Sequence, residues 1–166
     1  MKLDYEEIED GDQFEDLVAD YFRELQKVSD NSIMNVDVQQ SGVGTDGGRD
    51  IIVDLEFSDD VKVFTRRWVV QCKFRDHNIN LGELSSVNIP TLIHSYKASG
   101  YLLICKKRPT SKVTEMFERL NRDCKDRYQY ECWNGNALLN KLYLVEDIHQ
   151  NYFPKFRAEM LKLKSN

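Results

Sequence analysis

The segment from residue 49 to residue 74 narrows the choice of fold most sharply. RDIIVDLEF (49–57) alternates: Ile51, Val53, Leu55 and Phe57 face one way, and Asp50, Ile52, Asp54 and Glu56 face the other. Ser58, Asp59 and Asp60 supply a polar turn. VKVFTRRWVVQCKF then alternates again, with an interruption expected near Thr65. In it Val69, Gln71 and Lys73 share a face, opposite Val70, Cys72 and Phe74. Two alternating runs around a short polar turn predict an antiparallel hairpin. In a hairpin, the start of the first strand lies beside the end of the second.

The flanking segments supply helices and further strands. In residues 12–25, Phe14, Leu17, Val18, Tyr21, Phe22 and Leu25 keep the spacing of one apolar helix face. Asp12 suits the N-cap, and Glu15 stands three residues on, as a capping box requires. Residues 33–40 alternate around Met34, Val36 and Val38, which predicts a strand. A turn follows, with four glycines between Gly42 and Gly48. Residues 81–98 read as mostly helical, with Pro90 starting a new turn. YLLIC (101–105) reads as a buried strand, and 111–125 as a helix capped by Thr110 or Ser111. Residues 128–133 form a short strand, 136–142 a helix after the Asn134-Gly135-Asn136 turn, and the last twenty residues are helical around Pro154. No repeat, low-complexity tract or linker divides the chain, so 1–166 is expected to be one α/β domain, a mixed central β-sheet flanked by helices.

Composition excludes several classes. Hydrophobic residues at 41% and charged residues at 31% describe a globular chain rather than a disordered one. No apolar run approaches the roughly 20 residues a bilayer span needs, so no membrane association is expected. The acidic start MKLDYEEIEDGDQFED has no secretory signal pattern. Cys72, Cys105, Cys124 and Cys132 form neither a CxxC pair nor a zinc spacing, and a reduced, cytoplasmic protein is the expectation. Residues 1–60 carry 4 Lys+Arg against 18 Asp+Glu, a balance of −14; residues 61–166 carry 19 against 10, a balance of +9. The net −5 therefore hides a basic second half, a feature shared by ordinary mixed surfaces and by proteins with a polyanionic partner.

Hairpin geometry brings Asp50 beside Gln71 and Lys73. A carboxylate, an amide oxygen and an ammonium at one point suit phosphodiester hydrolysis. Asp50 offers a hard oxygen to Mg²⁺, and the Gln71 side-chain oxygen and the Cys72 backbone carbonyl complete the protein's share of the ligands. Lys73 can hold or deprotonate an attacking water, or stabilise charge on the phosphate. Glu15 has two readings that can coexist, the N3 partner of Asp12 and an auxiliary metal ligand.

The strings GDQFEDLVADYF (11–22), GVGTDGGRD (42–50) and WVVQCKF (68–74) occur in this order, followed by GYLLIC (100–105) and WNGNALL (133–139). This set resembles the Mrr-like restriction endonucleases of the PD-(D/E)xK nuclease superfamily, over a core of about 8–142, with 143–166 as a C-terminal helical extension. The resemblance implies a restriction-endonuclease-like core and a Mg²⁺-dependent DNA endonuclease, with Mn²⁺ as a substitute ion and a role in restriction or defence against foreign DNA. It matches Asp50 to the family's metal-binding aspartate, Gln71 and Lys73 to its Gln-x-Lys pair, and Glu15 to its first-helix glutamate. Two departures from the superfamily pattern stand out: Arg49 replaces the proline before the aspartate, and Gln71 replaces the more usual acid. A neutral ligand leaves less negative charge on the metal, so affinity is expected to lean on DNA phosphate.

Other residues carry plainer readings. Asp46, beside Gly47, suits a turn, and Asp54 and Glu56 suit solvent. Arg66, Arg67 and Arg75 flank the Gln-x-Lys strand and can steer a DNA backbone toward it. Lys106, Lys107, Arg108 and Lys112 surround a strand end and a helix start, where a phosphate-binding and a solvated-loop reading stand level. His77, His94 and His149 show no ligand spacing, and Tyr101 and Trp133 read as core. A non-cleaving DNA-binding module, and a nuclease effector fused to or associated with a sensor domain, are the alternative readings. Double-strand cutting favours a homodimer by the symmetry of the duplex.

Overall fold

β1 (Ile33–Gln40), β2 (Ile51–Ser58) and β3 (Val63–Lys73) run as an antiparallel meander, and β4 (Gly100–Cys105) and β5 (Gln129–Trp133) extend the sheet parallel to β3. The spatial order is β1-β2-β3-β4-β5. The computed structural model describes residues 2–28, 33–41, 49–125 and 127–164. The expected glycine turn at 42–48, with Asp46, lies outside the described residues.

Parallel neighbours require crossovers. A 3-10 turn (Leu81–Leu84) and α2 (Ile89–Ser95) join β3 to β4, and α3 (Ser111–Cys124) joins β4 to β5. The other helices are α1 (Gly11–Val28), α4 (Gly135–Leu142), α5 (Glu146–Tyr152) and α6 (Pro154–Lys164), with a 3-10 turn at Tyr5–Glu7. Alternation along the strands gives the sheet two apolar faces. Ile51, Val53, Val70 and Ile104 pack under Phe14, Leu17 and Val18 of α1 and Leu138 and Leu142 of α4. Ile52, Val69, Tyr101 and Leu103 pack under Ile93 of α2 and Val113 and Phe117 of α3. The result is a helix–sheet–helix sandwich, as the element order predicts.

Several local expectations shift. α1 starts earlier than expected: Asp10, not Asp12, accepts the Gln13 N–H at 2.8 Å, and the Asp10 carbonyl accepts from Phe14 N–H. The Gln13 side chain in turn accepts the Glu9 N–H at 2.6 Å. Glu15 therefore has no part in the cap. β3 is continuous through Thr65, which pairs with Glu56. A bulge near Ile33 and Asn35 changes the phase of β1, and Met34 is exposed, while Val36 and Val38 pack inward. The hairpin closes at Ser58↔Val63, so its turn is the four residues 59–62 rather than the expected 58–60, with Asp60 at φ 66°. The 81–98 helix resolves into the 3-10 turn and α2, with Pro90 in the first turn of α2.

The C-terminal helices are fastened to the N-terminal segment. The Glu7 carboxylate accepts the Lys155 and Phe156 N–H groups at 2.8 and 3.2 Å, capping α6. Tyr152 donates its hydroxyl to Asp20 at 2.7 Å, and Phe153 is fully buried against the α1 layer. Among the described residues no helix is long and apolar enough to cross a membrane.

Candidate active site

The register ends where the chemistry begins. The last β2–β3 pair is Ile51↔Val70, so Asp50 falls beside Gln71. Asp50 is held on three sides. Its N–H donates to the Val70 carbonyl at 3.0 Å, its carbonyl accepts from Ser41 N–H at 2.8 Å, and its Oδ2 accepts the Cys72 N–H at 2.5 Å. The carboxylate is thus fixed to the β3 backbone between Gln71 and Lys73.

Gln71 is almost fully buried at 4% exposure, and its Oε1 accepts a hydrogen bond from the Tyr101 hydroxyl at 2.5 Å. Lys73, two residues on, is half-buried at the end of β3. Its carbonyl accepts the Lys106 N–H at 3.0 Å, toward β4. Carbonyls alternate along a strand, so that of Cys72 points to the β2 side, where Asp50 stands. The Cys72 thiol is buried; burial above all, then the charges of Asp50 and Glu15, pushes its pKa up and keeps it an unreactive thiol.

Glu15 reaches the same neighbourhood from α1. Its pKa is raised to about 7, first by burial and then by the negative charges of Asp50, Asp12 and Asp16, with Lys73 opposing. Two carboxylates, one amide oxygen and one backbone carbonyl are an all-oxygen donor set, the kind that hard divalent cations select. Among the described residues no group of three or more His, Cys, Asp or Glu is placed to hold a metal. The donor chemistry and the repulsion between Glu15 and Asp50 suit a small dication, and Asp50, Gln71, the Cys72 carbonyl and Glu15 are the groups that would hold it.

The basic residues divide. Arg67 grips Asp54 through Nε–Oδ1 at 2.8 Å and Nη2–Oδ2 at 2.6 Å, and donates to the Tyr96 carbonyl at 3.2 Å. That pair lies three register steps from Ile51↔Val70, roughly 10 Å along the strand. Arg66 sits over the Phe57 ring at 6.0 Å, on the α1 side of the hairpin. Arg75 is exposed just past Lys73. Lys106 lies 4.2 Å from the Phe74 ring centre and pairs with Asp76 at 2.6 Å. Lys107 and Arg108 are exposed and, with Lys2, Asn134 and Asn136, line a cleft of about 520 Å³. Lys112 is exposed in the first turn of α3. The sequence reading missed Tyr101 as part of the site, because an apolar strand sequence does not reveal which neighbour its one hydroxyl meets.

The three-layer arrangement, with its sheet-end cluster, belongs to the restriction-endonuclease class of α/β folds. The restriction endonuclease family model Mrr_cat matches residues 7–142, and the chain is a member of that family. Two solved structures share the fold. The DNA modification-dependent restriction endonuclease AspBHI matches with a TM-score of 0.54 and 14% identity, over 93% of this chain and 37% of that one. The MspJI restriction endonuclease in complex with a 27-mer oligonucleotide matches with a TM-score of 0.50 and 14% identity, over 78% of this chain and 27% of that one. The chain therefore spans well under half the length of either neighbour. No curated protein sequence matches it.

Proposed function

We propose that this chain is a divalent-metal-dependent DNA endonuclease that hydrolyses phosphodiester bonds, working in restriction or defence against foreign DNA inside the cytoplasm. The observation that carries the reading is the Asp50 carboxylate bonded to the N–H between Gln71 and Lys73, with Glu15 in electrostatic contact. Mg²⁺, or Mn²⁺ in its place, would supply Lewis-acid stabilisation of the scissile phosphate and an acidified water. Asp50, Gln71 and the Cys72 carbonyl hold the ion's position. Lys73 holds the attacking water and balances the charge that grows on the phosphate oxygens. Glu15, with a pKa of about 7, is poised to ligate or to accept a proton near neutrality. The water gives up a proton as its oxygen bonds to phosphorus, and the bond to the leaving deoxyribose oxygen breaks, that oxygen taking up a proton.

Arg75, Lys107 and Arg108 are the exposed cations best placed to meet DNA phosphates on this side of the sheet. The Glu7–α6 and Tyr152–Asp20 bonds support residues 1–166 acting as one unit. The larger size of both structural neighbours supports a nuclease that works with a separate recognition or sensor part, and two copies would serve a duplex.

The test is plasmid cleavage by wild type and Asp50→Asn, with Mg²⁺ or with EDTA. The asparagine oxygen can still accept the Cys72 N–H, so the fold is retained while the charge is lost. Cleavage should need Mg²⁺ and fall at least ~100-fold in the variant. Undiminished cleavage by Asp50→Asn would remove this site from the reaction.

A further inference from the structure

We propose that Tyr101 is a positioning residue that fixes the Gln71 carboxamide with its oxygen, rather than its nitrogen, available to the cation. The inference rests on the metal-dependent reading above and concerns how the neutral ligand of that site is oriented.

Tyr101 lies on β4, paired with Val69 and two residues before the partner of Gln71, so both side chains share the α3 face. It is fully buried, and its ring meets Phe117 edge-on at 6.1 Å. The hydroxyl is thereby delivered to one point, 2.5 Å from Gln71 Oε1.

The chemical need for such a donor comes from the amide. A carboxylate presents an oxygen in either orientation of its terminal torsion. A glutamine presents an oxygen in one and an NH₂ group in the other, and that torsion is broad and two-fold. Only the oxygen binds a cation. A phenol can also accept, but the buried Tyr101 proton finds its acceptor in Gln71 Oε1, and turning the NH₂ toward it would leave that proton buried without one. The oxygen is therefore selected, with one lone pair used and the other left for the ion. The tyrosine thus compensates for the acid this chain lacks at residue 71.

The test uses the full chain and four proteins: wild type, Tyr101→Phe, Gln71→Glu, and the double variant. Mn²⁺ binding is measured by calorimetry without DNA, and the metal concentration for half-maximal plasmid cleavage is measured in parallel. Phenylalanine removes one buried oxygen and keeps the ring. Tyr101→Phe should weaken Mn²⁺ binding about 10-fold, raise the half-maximal metal concentration by a similar factor, and change the rate at saturating metal much less. In the Gln71→Glu background the same substitution should change Mn²⁺ affinity less than about twofold, because a carboxylate needs no such selection. Wild type and Tyr101→Phe binding Mn²⁺ equally would overturn the role of Tyr101 alone, as would equal losses in both backgrounds, which mark mere packing. A wild type that takes up no Mn²⁺ would overturn the metal site and this proposal with it.

Discussion

Glu15 on α1 and Asp50 at the head of β2 repel each other across the end of the sheet. Burial is the larger cause of the raised Glu15 pKa, Asp50 is the next, and the Lys73 ammonium offsets only part of it. Glu15 keeps its proton in the folded protein up to about pH 7, whereas a free glutamate side chain releases it near 4.5. A site that holds two carboxylates against their mutual repulsion is strained until a cation or a proton arrives.

That strain has a sign. Below about pH 4.5 both folded and unfolded chains carry a protonated Glu15, and the group has no effect on stability. Between there and about pH 7 the unfolded chain alone has lost the proton, so folding stability falls as pH rises, and above pH 7 the full cost persists. Allowing for solvent screening of a half-buried group, that cost is about 2 kcal/mol. In metal-free buffer Glu15→Gln should therefore melt with wild type at pH 4 and above it at pH 8. Millimolar Mg²⁺ should raise the wild-type melting temperature at pH 8 more than that of the variant. Parallel pH profiles of the two proteins would contradict the coupling of Glu15 to Asp50.

The hairpin was legible because β2 and β3 alternate around a polar turn, and that alone brings Asp50 to Gln71. The strand at 33–40 was legible from the same alternation, and 101–105 from its continuous apolar run. The start of α1 was not: Asp10 and Asp12 are equal N-cap candidates by type, and only the fold decides that Asp10 caps. Tyr101 was read correctly as buried, but its bond to Gln71 depends on the parallel β3–β4 register, which a long crossover sets and no local pattern reveals. Arg67 is an intermediate case. Once the hairpin closes at Ser58↔Val63, Asp54 faces Arg67 directly, so the pair is disclosed only by a four-residue turn at 59–62, which the polar Ser58-Asp59-Asp60 run does not indicate.

Arg67 should behave as a clamp between the hairpin strands and α2. Its guanidinium is partly exposed, but Asp54 opposite it is only 14% exposed and loses its partner when Arg67 is removed. Arg67→Met should lower stability by about 1–2 kcal/mol, seen as a lower urea midpoint. The salt dependence of DNA binding, read by fluorescence anisotropy, should stay as in wild type. Arg75→Ala or Lys107→Ala should instead reduce the salt slope by about 1 with little change in stability. A reduced slope in Arg67→Met would place Arg67 on the DNA.

Gly135 should tolerate no side chain, and the reason links the basic cleft to the core. It is the first residue of α4; its N–H donates to the Lys107 carbonyl at 3.0 Å, and its carbonyl accepts the buried Tyr5 hydroxyl at 2.7 Å. A β-carbon there would lie 2.0 Å from the Lys106 carbonyl oxygen and 3.0 Å from the Tyr5 ring. Both neighbours are held, Lys106 as the residue leaving β4 and Tyr5 by its ring contacts with Phe14 and Phe74. Gly135→Ala must displace backbone, at about 2–3 kcal/mol, or ~5–10 °C in melting temperature. Gly11, first residue of α1, meets nothing within 4 Å, and Gly11→Ala should be neutral or slightly stabilising. If the two alanine variants melted together, Gly135 would not be the wedge that sets α4 against the 106–108 loop. If Gly135→Ala alone falls, the exposed Lys107 and Arg108 owe their position to this close approach, and DNA binding should weaken along with the fold.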